Sequence, residues 1–538
     1  MKIKIEKKYL VLPTNVHVKQ KDIRLFDNGK ECYFLNMRLD SVDPDFYAYI
    51  EMSRFIGKEL DVEITPHMKL TYTQADEIEF DTKDALRPDI HFTAKRGWIN
   101  DPNGLIYLNG EYHLFYQYNP TAREWYNAHW GHAVSKDLLH WEDRPIALYP
   151  DELGFAFSGT AVIDEQNLLG LQKGDEKTVL LYYTAAGKHA STPKPYQQCL
   201  AYSIDGLHTI EKYQGNPILT ELETESRDPS VIWCEERKQY VMALYLDNDV
   251  YALFVSDNLV SWTELQRFTI QGESECPNFF PMKDENGNKK WVFIGAHDTY
   301  IIGEFQAGKF CPQQEPKSLC KETDAYASQV FANMPNDRIV RMAWGRWGRL
   351  KAKTFSGQLT IPCDMKLTKY NGEYYFSVLP VAELESLIKE KRTFDGAVFY
   401  GKKEVVFPIE NAATEIRISG NYNQMSNFTL SVFGVTLSFD FDKNECKPIY
   451  YSIVQREWQE GEHKNLLSIN KESFDVRIIV DHSGIEIFCD GGKISFMIIE
   501  RAVCDGNFPY VKFNIEKPDC AFENVTLITY NRAWENNR

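Results

Sequence analysis

The sequence predicts an all-β fold: a five-bladed β-propeller followed by a C-terminal β-sandwich, with a small N-terminal β module in front. Three observations lead there. Helical periodicity is scarce, and short apolar or alternating runs are separated by Asn-Gly, Asp-Gly and Pro turns. Aromatic residues are abundant (11 Trp, 30 Tyr and 32 Phe in 538 residues), as pleated surfaces favour. A strand-like run also recurs five times: Glu111–Gln117, Thr178–Thr184, Gln239–Tyr245, Lys290–Ala296 and Arg338–Trp344, with starts 67, 61, 51 and 48 residues apart. Repeats of that size, each holding several strands, are what propeller blades produce.

Taken in order, residues 1–85 hold strand candidates at Tyr33–Leu39 and Phe46–Met52, then an acidic stretch from Asp76 to Asp84. They read as a small β module and a linker. Residues 86–365 hold the five repeats. A looser marker, Ser-x-Asp followed by an aromatic, appears at Ser135, Asp137 and Trp141 and again near Ser256 and Trp262, with a partial copy at Ser203. Residues 366–538 read as a linker and sandwich. The linker spans Pro362 to Tyr374, and Val381–Lys391 is the best helix candidate, with Leu384, Leu387 and Ile388 on one face. Long alternating runs follow at Phe428–Asp440, Asp475–Val480, Ile485–Phe488, Lys493–Ile499 and Val511–Ile515, with hairpin turns at Asp481–Gly484 and Asp490–Gly492.

Composition narrows the function. With 60 Lys and Arg against 77 Asp and Glu, the formal charge is −17, which disfavours nucleic acid and anionic membranes as partners. No apolar run approaches the ~18 residues of a membrane span. The apolar stretch after Lys8 is shorter than the ~7–15 residues of a signal h-region. Eleven Cys without a C-x-x-C pair suit a reducing compartment. The chain therefore reads as cytoplasmic, or extracellular if a signal was removed. His129 and His132 form H-x-x-H without a third acidic ligand nearby, so packing is expected of them and no metal or cofactor is implied.

A polar or aromatic cluster precedes each repeated run by one short strand: Asn100-Asp101, Phe157-Ser158, Arg227-Asp228, Glu275-Cys276 and Tyr326. In a propeller the first strand of each blade lines the central channel, so these openings converge at one mouth. Singly, Asp-Pro-Asn-Gly at 101–104 is ordinary turn chemistry. Together, Asp101, Asp228 and Glu275 place three carboxylates around one site. Two facing carboxylates supply a nucleophile and a general acid for glycoside cleavage, and crowding with partial burial raises a carboxyl pKa. Arg227 is expected to keep Asp228 ionised.

These segments also carry a resemblance. HFTAKRG leading into WINDPNG, then LFYQYNP (114–120), HWGHAVSKDLLHWE (129–142), FSGTAVID (157–164), RDPSV (227–231), ECPNFF (275–280) and YASQVF (326–331) resemble, in order, the blocks of glycoside hydrolase family 32. That family comprises invertases, levanases, inulinases and other β-fructosidases. The likeness covers about residues 88 to 365, and VDHSGIEIFCDGG (480–492) resembles the family's sandwich hairpin. Residues 1–80 resemble, more weakly, a β module found in some bacterial members. The resemblance implies a retaining enzyme releasing terminal β-D-fructose from sucrose, fructo-oligosaccharides or fructans. It implies Asp101 as nucleophile, Glu275 as acid and base, and Asp228 as transition-state stabiliser. It also implies a fructose pocket lined by Asn100, Gln117, Trp125, Phe157, Ser158, Arg227, Tyr326 and Trp344. Tyr126 departs from the family, which often has Gly there, and a ring at the rim could reshape the leaving-group side. A fructosyltransferase using the same covalent intermediate stays open, as do a non-catalytic fructan-binding protein and a homo-oligomer.

Overall fold

The computed structural model describes the chain except residues 221, 224, 320–322, 348–351, 453–456, 461–464, 500–507 and 535–538, and the side chains of 450–452 and 457–460. Residues 348–351, shortly after the fifth repeated run, thus lie outside the described residues. The protein is all-β. Among the described residues no helix is long and apolar enough to cross a membrane.

The N-terminal residues form two small sheets. One runs Lys2–Lys4, Glu59–Thr65, Lys21–Asp27, Lys30–Met37, and the other Phe46–Glu51, Tyr9–Thr14, Thr73–Ala75. Along Lys30–Met37 the side chains alternate. Tyr33, Leu35 and Met37 enter the module core, and Phe34 faces the other way.

Five antiparallel sheets follow in chain order. Their first strands are Gly97–Leu108, Phe155–Ile163, Arg227–Cys234, Asn278–Lys283 and Ala325–Val330. Each first strand contacts the next, and the fifth contacts the first, so the inner strands close a ring. The repeated runs of the sequence are the second strand of each sheet, for example Glu111–Asn119 and Val179–Ala186. Asn109-Gly110, with φ of 50° and 89°, makes the tight turn between the first two strands. Three sheets end their third strand on one device. Ser135, Ser203 and Ser256 each donate to Asp137, Asp205 and Asn258, and Leu138, Leu207 and Leu259 nearby take left-handed backbone. The Ser-x-Asp marker is therefore a turn-forming element. The ring is fastened by Phe355–Ser356, which pairs in parallel with Gly97 and Trp98 at the inner edge of the first sheet.

Two expectations are corrected here. The stretch read as a linker at 362–374 belongs to Cys363–Tyr370 and Glu373–Pro380, the outer hairpin of the fifth sheet. Its turn is Asn371-Gly372, with both φ positive (50° and 86°), a two-residue hairpin connection. The expected helix at 381–391 is a short 3-10 turn, Ala382–Leu387, running into strand Ile388–Asp395. That strand pairs with Phe522–Tyr530, and the ladder overrides local helix propensity.

The C-terminal residues form a six-stranded and a seven-stranded sheet sharing one apolar core, including Ile416, Leu430, Leu437, Ile478 and Phe513. The 480–492 hairpin docks this unit on the ring. His91 is fully buried between Asp481 (2.8 Å) and Glu486 (2.8 Å). Asp481 also accepts the backbone N–H groups of Asp89 and Ile90, and Glu486 that of Ile361. Burial alone would lower the His91 pKa, but the two carboxylates reverse this and raise it to about 9. The same contact holds Asp481 well below the usual carboxylate range. Asp89, Asp481 and His482 lie close enough to share an ion, yet these carboxylates are occupied by His91, His482, Arg532 and the backbone of residue 413. The cluster is an electrostatic clamp between the two units.

Candidate active site

The openings of the first strands meet at one end of the ring. Their ladders slip where the site residues sit. Register shifts fall between Ile99 and Pro102, Phe157 and Gly159, Arg227 and Ser230, and Tyr326 and Gln329. Such bulges re-aim side chains that a regular ladder would send into the sheet stack. Asp228, Glu275, Cys276 and Ala327 also take left-handed backbone, with φ of 64°, 54°, 38° and 52°. Non-glycine residues there carry strain, which the surrounding sheets enforce.

Cys276 joins two of the carboxylates. Its Sγ lies 3.4 Å from Asp101 Oδ2 and 3.4 Å from Asp228 Oδ2, and its backbone N–H donates to Asp228 Oδ2 at 3.1 Å. Ser158 donates its hydroxyl to Asp101 Oδ2 at 2.7 Å. Arg227 donates to Glu275 Oε1 at 2.8 and 3.2 Å, and the Tyr326 hydroxyl donates to Glu275 Oε2. Arg227 lies 3.9 Å from Asp228. The three carboxylates thus belong to one network, with a thiol on one side and a guanidinium on the other.

Burial dominates the electrostatics. It raises the Asp101 carboxyl pKa, against the hydrogen bond from Ser158 and with help from the Glu275 charge. Burial likewise pushes Asp228 up to about 7, with Arg227 opposing and the other two carboxylates reinforcing. Arg227 acts on Asp228 in the expected direction, but burial outweighs it, and its closest acidic contact is Glu275. The Cys276 thiol is pushed far up by burial and the surrounding negative charge, so it stays protonated.

The other sequence-derived residues surround this core unevenly. Asn100 accepts from the Trp98 indole at 3.0 Å. Trp344 is half-buried and lies edge-on to Trp98 and Tyr326. Gln117 is buried and donates to the carbonyl of Ala156 at 2.9 Å. Phe157 lies at the rim beside Trp125, with ring centres 6.1 Å apart, and Trp125 is 43% exposed. His129 and His132 are buried packing residues, held by Tyr33 and His113 respectively.

The structure adds residues that the sequence did not single out. Thr184 Oγ1 accepts the Asp228 backbone N–H at 2.9 Å, and the Tyr251 hydroxyl donates to the Glu275 carbonyl at 3.1 Å. His189 and Tyr196 join the rim aromatics. Thr184 is the last residue of a repeated run, the one signal that could have marked it. Residues 1 to 85 also supply a neighbour to the rim, through Phe34.

Against known proteins, residues 91–377 match the Glycosyl hydrolases family 32 N-terminal domain, more than half the chain. The chain belongs to glycosyl hydrolase family 32. Among family relatives, a levanase from Bacillus subtilis is 32% identical over 76% of this chain and 65% of its own length. An invertase from Schizosaccharomyces pombe is 32% identical over 66% of this chain and 64% of its own. The chain thus spans slightly under two-thirds of the length of these relatives. A crystal structure of exo-inulinase from Aspergillus awamori superposes with a TM-score of 0.74 at 23% identity, covering 85% of this chain and all of the other, which shows a shared fold.

Proposed function

We propose that this protein is a retaining β-fructosidase that releases terminal fructose from sucrose and fructans, and that its five ring-forming sheets are the blades of a β-propeller. In this reading residues 1–85 are an accessory module, 86–365 with the outer hairpin to 380 the catalytic unit, and the remainder a β-sandwich. The observation that carries the chemistry is the joining of Asp101, Asp228 and Glu275 through Cys276 and Arg227. The names of the relatives, levanase, invertase and exo-inulinase, point the reading toward hydrolysis of fructosides over transfer.

Asp101 attacks the anomeric carbon of the fructosyl unit and forms an ester with it. The bond to the leaving oxygen breaks, and that oxygen takes the proton of Glu275. Glu275, now a carboxylate, accepts hydrogen bonds from Arg227 on one oxygen and Tyr326 on the other. Water then enters, Glu275 removes its proton, and the hydroxide oxygen displaces Asp101 from the sugar. Asp228, beside Arg227 and the Cys276 N–H, binds sugar hydroxyls as positive charge develops on the ring.

The test is a chromatographic assay of fructose released from sucrose, inulin and levan. Asp101→Asn should lose at least about 10⁴-fold activity, as removal of a covalent nucleophile does. Glu275→Gln should lose about 10²–10⁴-fold, because the side chain can then neither protonate the leaving oxygen nor take the proton of water. Wild-type turnover by either variant would exclude the assigned roles.

A further inference from the structure

The N-terminal module reaches the rim at several points. Loop 119–127 of the first ring sheet carries Trp125 and Tyr126, and loop 187–196 of the second carries His189 and Tyr196. Their rings form one wall. His189 stacks on Phe155 (4.9 Å between centres, 7° between planes) and meets Trp125 and Tyr126 edge-on. Phe157 lies between Trp125 and Tyr196. The next residue, Ser158, bonds the Asp101 carboxylate, so the wall begins where the carboxylates end.

The module supplies the back of this wall. Phe34, only 5% exposed, packs with Ala128, Phe155 and Ala186, and with Tyr126, Phe157 and Tyr196 around them. Two residues on, the Asn36 backbone donates to Asn127 Oδ1 (2.9 Å) and accepts from Asn127 Nδ2 (2.8 Å), so the amide pairs with it as a strand would. Arg38 makes an ion pair with Glu124, and Glu31 accepts the Ser191 hydroxyl at 3.0 Å. Both loops are therefore fastened by one edge strand of the module and the residue that follows it.

We propose that the N-terminal module positions the leaving-group side of the substrate site, with Phe34 and Arg38 as positioning residues and His189 as a specificity-determining contact. This rests on the β-fructosidase reading. A fructosyl unit bound at the buried carboxylates leaves the rest of the chain to exit past the exposed Trp125 face, where sugar rings stack on aromatic faces. The wall's shape then sets which leaving groups are well bound, and the module sets the wall's shape.

The experiment compares wild type with Phe34→Ala, Arg38→Ala and the conservative Phe34→Leu and Arg38→Lys. The readouts are kcat/KM on an inulin-type oligosaccharide, and the inhibition constant of free fructose, which occupies the inner pocket alone. The alanine variants should lose fivefold or more in kcat/KM with the fructose constant within twofold, and the conservative variants should recover most of the loss. The Arg38 side chain is partly exposed, so its variant folds even if Phe34→Ala does not. A fall in melting temperature with kcat/KM unchanged, or a parallel loss of fructose binding, would overturn the proposal. Wild-type protein that neither releases nor binds fructose would overturn the β-fructosidase reading itself, and this inference with it.

Discussion

Replacing Asp228 with Asn should make the protein more stable and less active. The carboxylate is 5% exposed, and burial together with two neighbouring carboxylates lifts it to about 7. In the unfolded chain it returns to 3.8. A native pKa above the unfolded one means the native state holds the proton more tightly. The penalty for ionising is therefore absent below about pH 4, grows between roughly pH 4 and 7, and is complete above 7. About three pH units at ~1.4 kcal/mol each come to about 4 kcal/mol. Asn keeps the shape and the bond from the Cys276 N–H but loses the contact with Arg227, so a gain of about 2–4 kcal/mol is expected at pH 8. For a ring of this size, unfolding entropy of ~2 cal/mol/K per residue converts that to about 5 °C. The assay is thermal unfolding followed by near-UV circular dichroism at pH 4.5, 6 and 8. Fructose release should fall by roughly 10²–10³, the effect of losing a group that stabilises developing charge. A thermal gain that is the same at every pH, or a loss at pH 8, would refute the electrostatic account.

Ser158→Ala removes a hydrogen bond that lowers the Asp101 pKa. The acidic limb of the kcat/KM–pH profile should therefore move to higher pH, read from initial rates between pH 4 and 8. His91, raised to about 9, stabilises the clamp fully below about pH 6.5 and loses that contribution as pH climbs through 9. Wild type should lose roughly 3 kcal/mol across that window. His91→Asn should flatten the dependence of melting temperature on pH between 6 and 10. Gly492→Ala should destabilise by at least about 2 kcal/mol, because φ is +82° and the new Cβ would fall 2.3 Å from the Val378 carbonyl oxygen. Denaturant melts would show the loss.

What is legible of the site in the sequence is its punctuation. Pro102, Pro229 and Pro277 follow the acids closely; the first two sit at breaks in their ladders and the third just ahead of its strand, and a proline announces such a break in the linear chain. The left-handed turn at Asp228 has no such marker, so adjacency pairs Arg227 with Asp228 but does not reveal its hydrogen bonds to Glu275. Thr184, Tyr251 and His189 belong to the site through neighbouring strands and loops, and strand neighbours leave no trace in linear order. In the fold, Leu384 and Leu387 are spaced for a helix, yet a spacing of three also fits one 3-10 turn, and the pairing with Phe522–Tyr530 decides the matter. The hairpin at 363–380 has its signal in Asn371-Gly372, a dipeptide that linkers and tight turns share. His91 opens the HFTAKRG block and its partners lie in the 480–492 hairpin, but nothing in linear order pairs two segments about 390 residues apart.

The parallel pairing of Phe355–Ser356 with Gly97 and Trp98 has a bearing on how the protein is made. The first ring strand leaves the ribosome some 260 residues before the segment that fastens it. At ~5–20 residues per second, the nascent chain waits roughly 13–50 s for that partner. For about the first two-thirds of this time Asp101 exists without Glu275, and the inner edge of the first sheet stays open throughout. Contacts of such long sequence separation also fold slowly. Maturation of the site is thus timed by translation, and a truncated chain ending before residue 355 would carry all three carboxylates while lacking the strand that closes the ring around them.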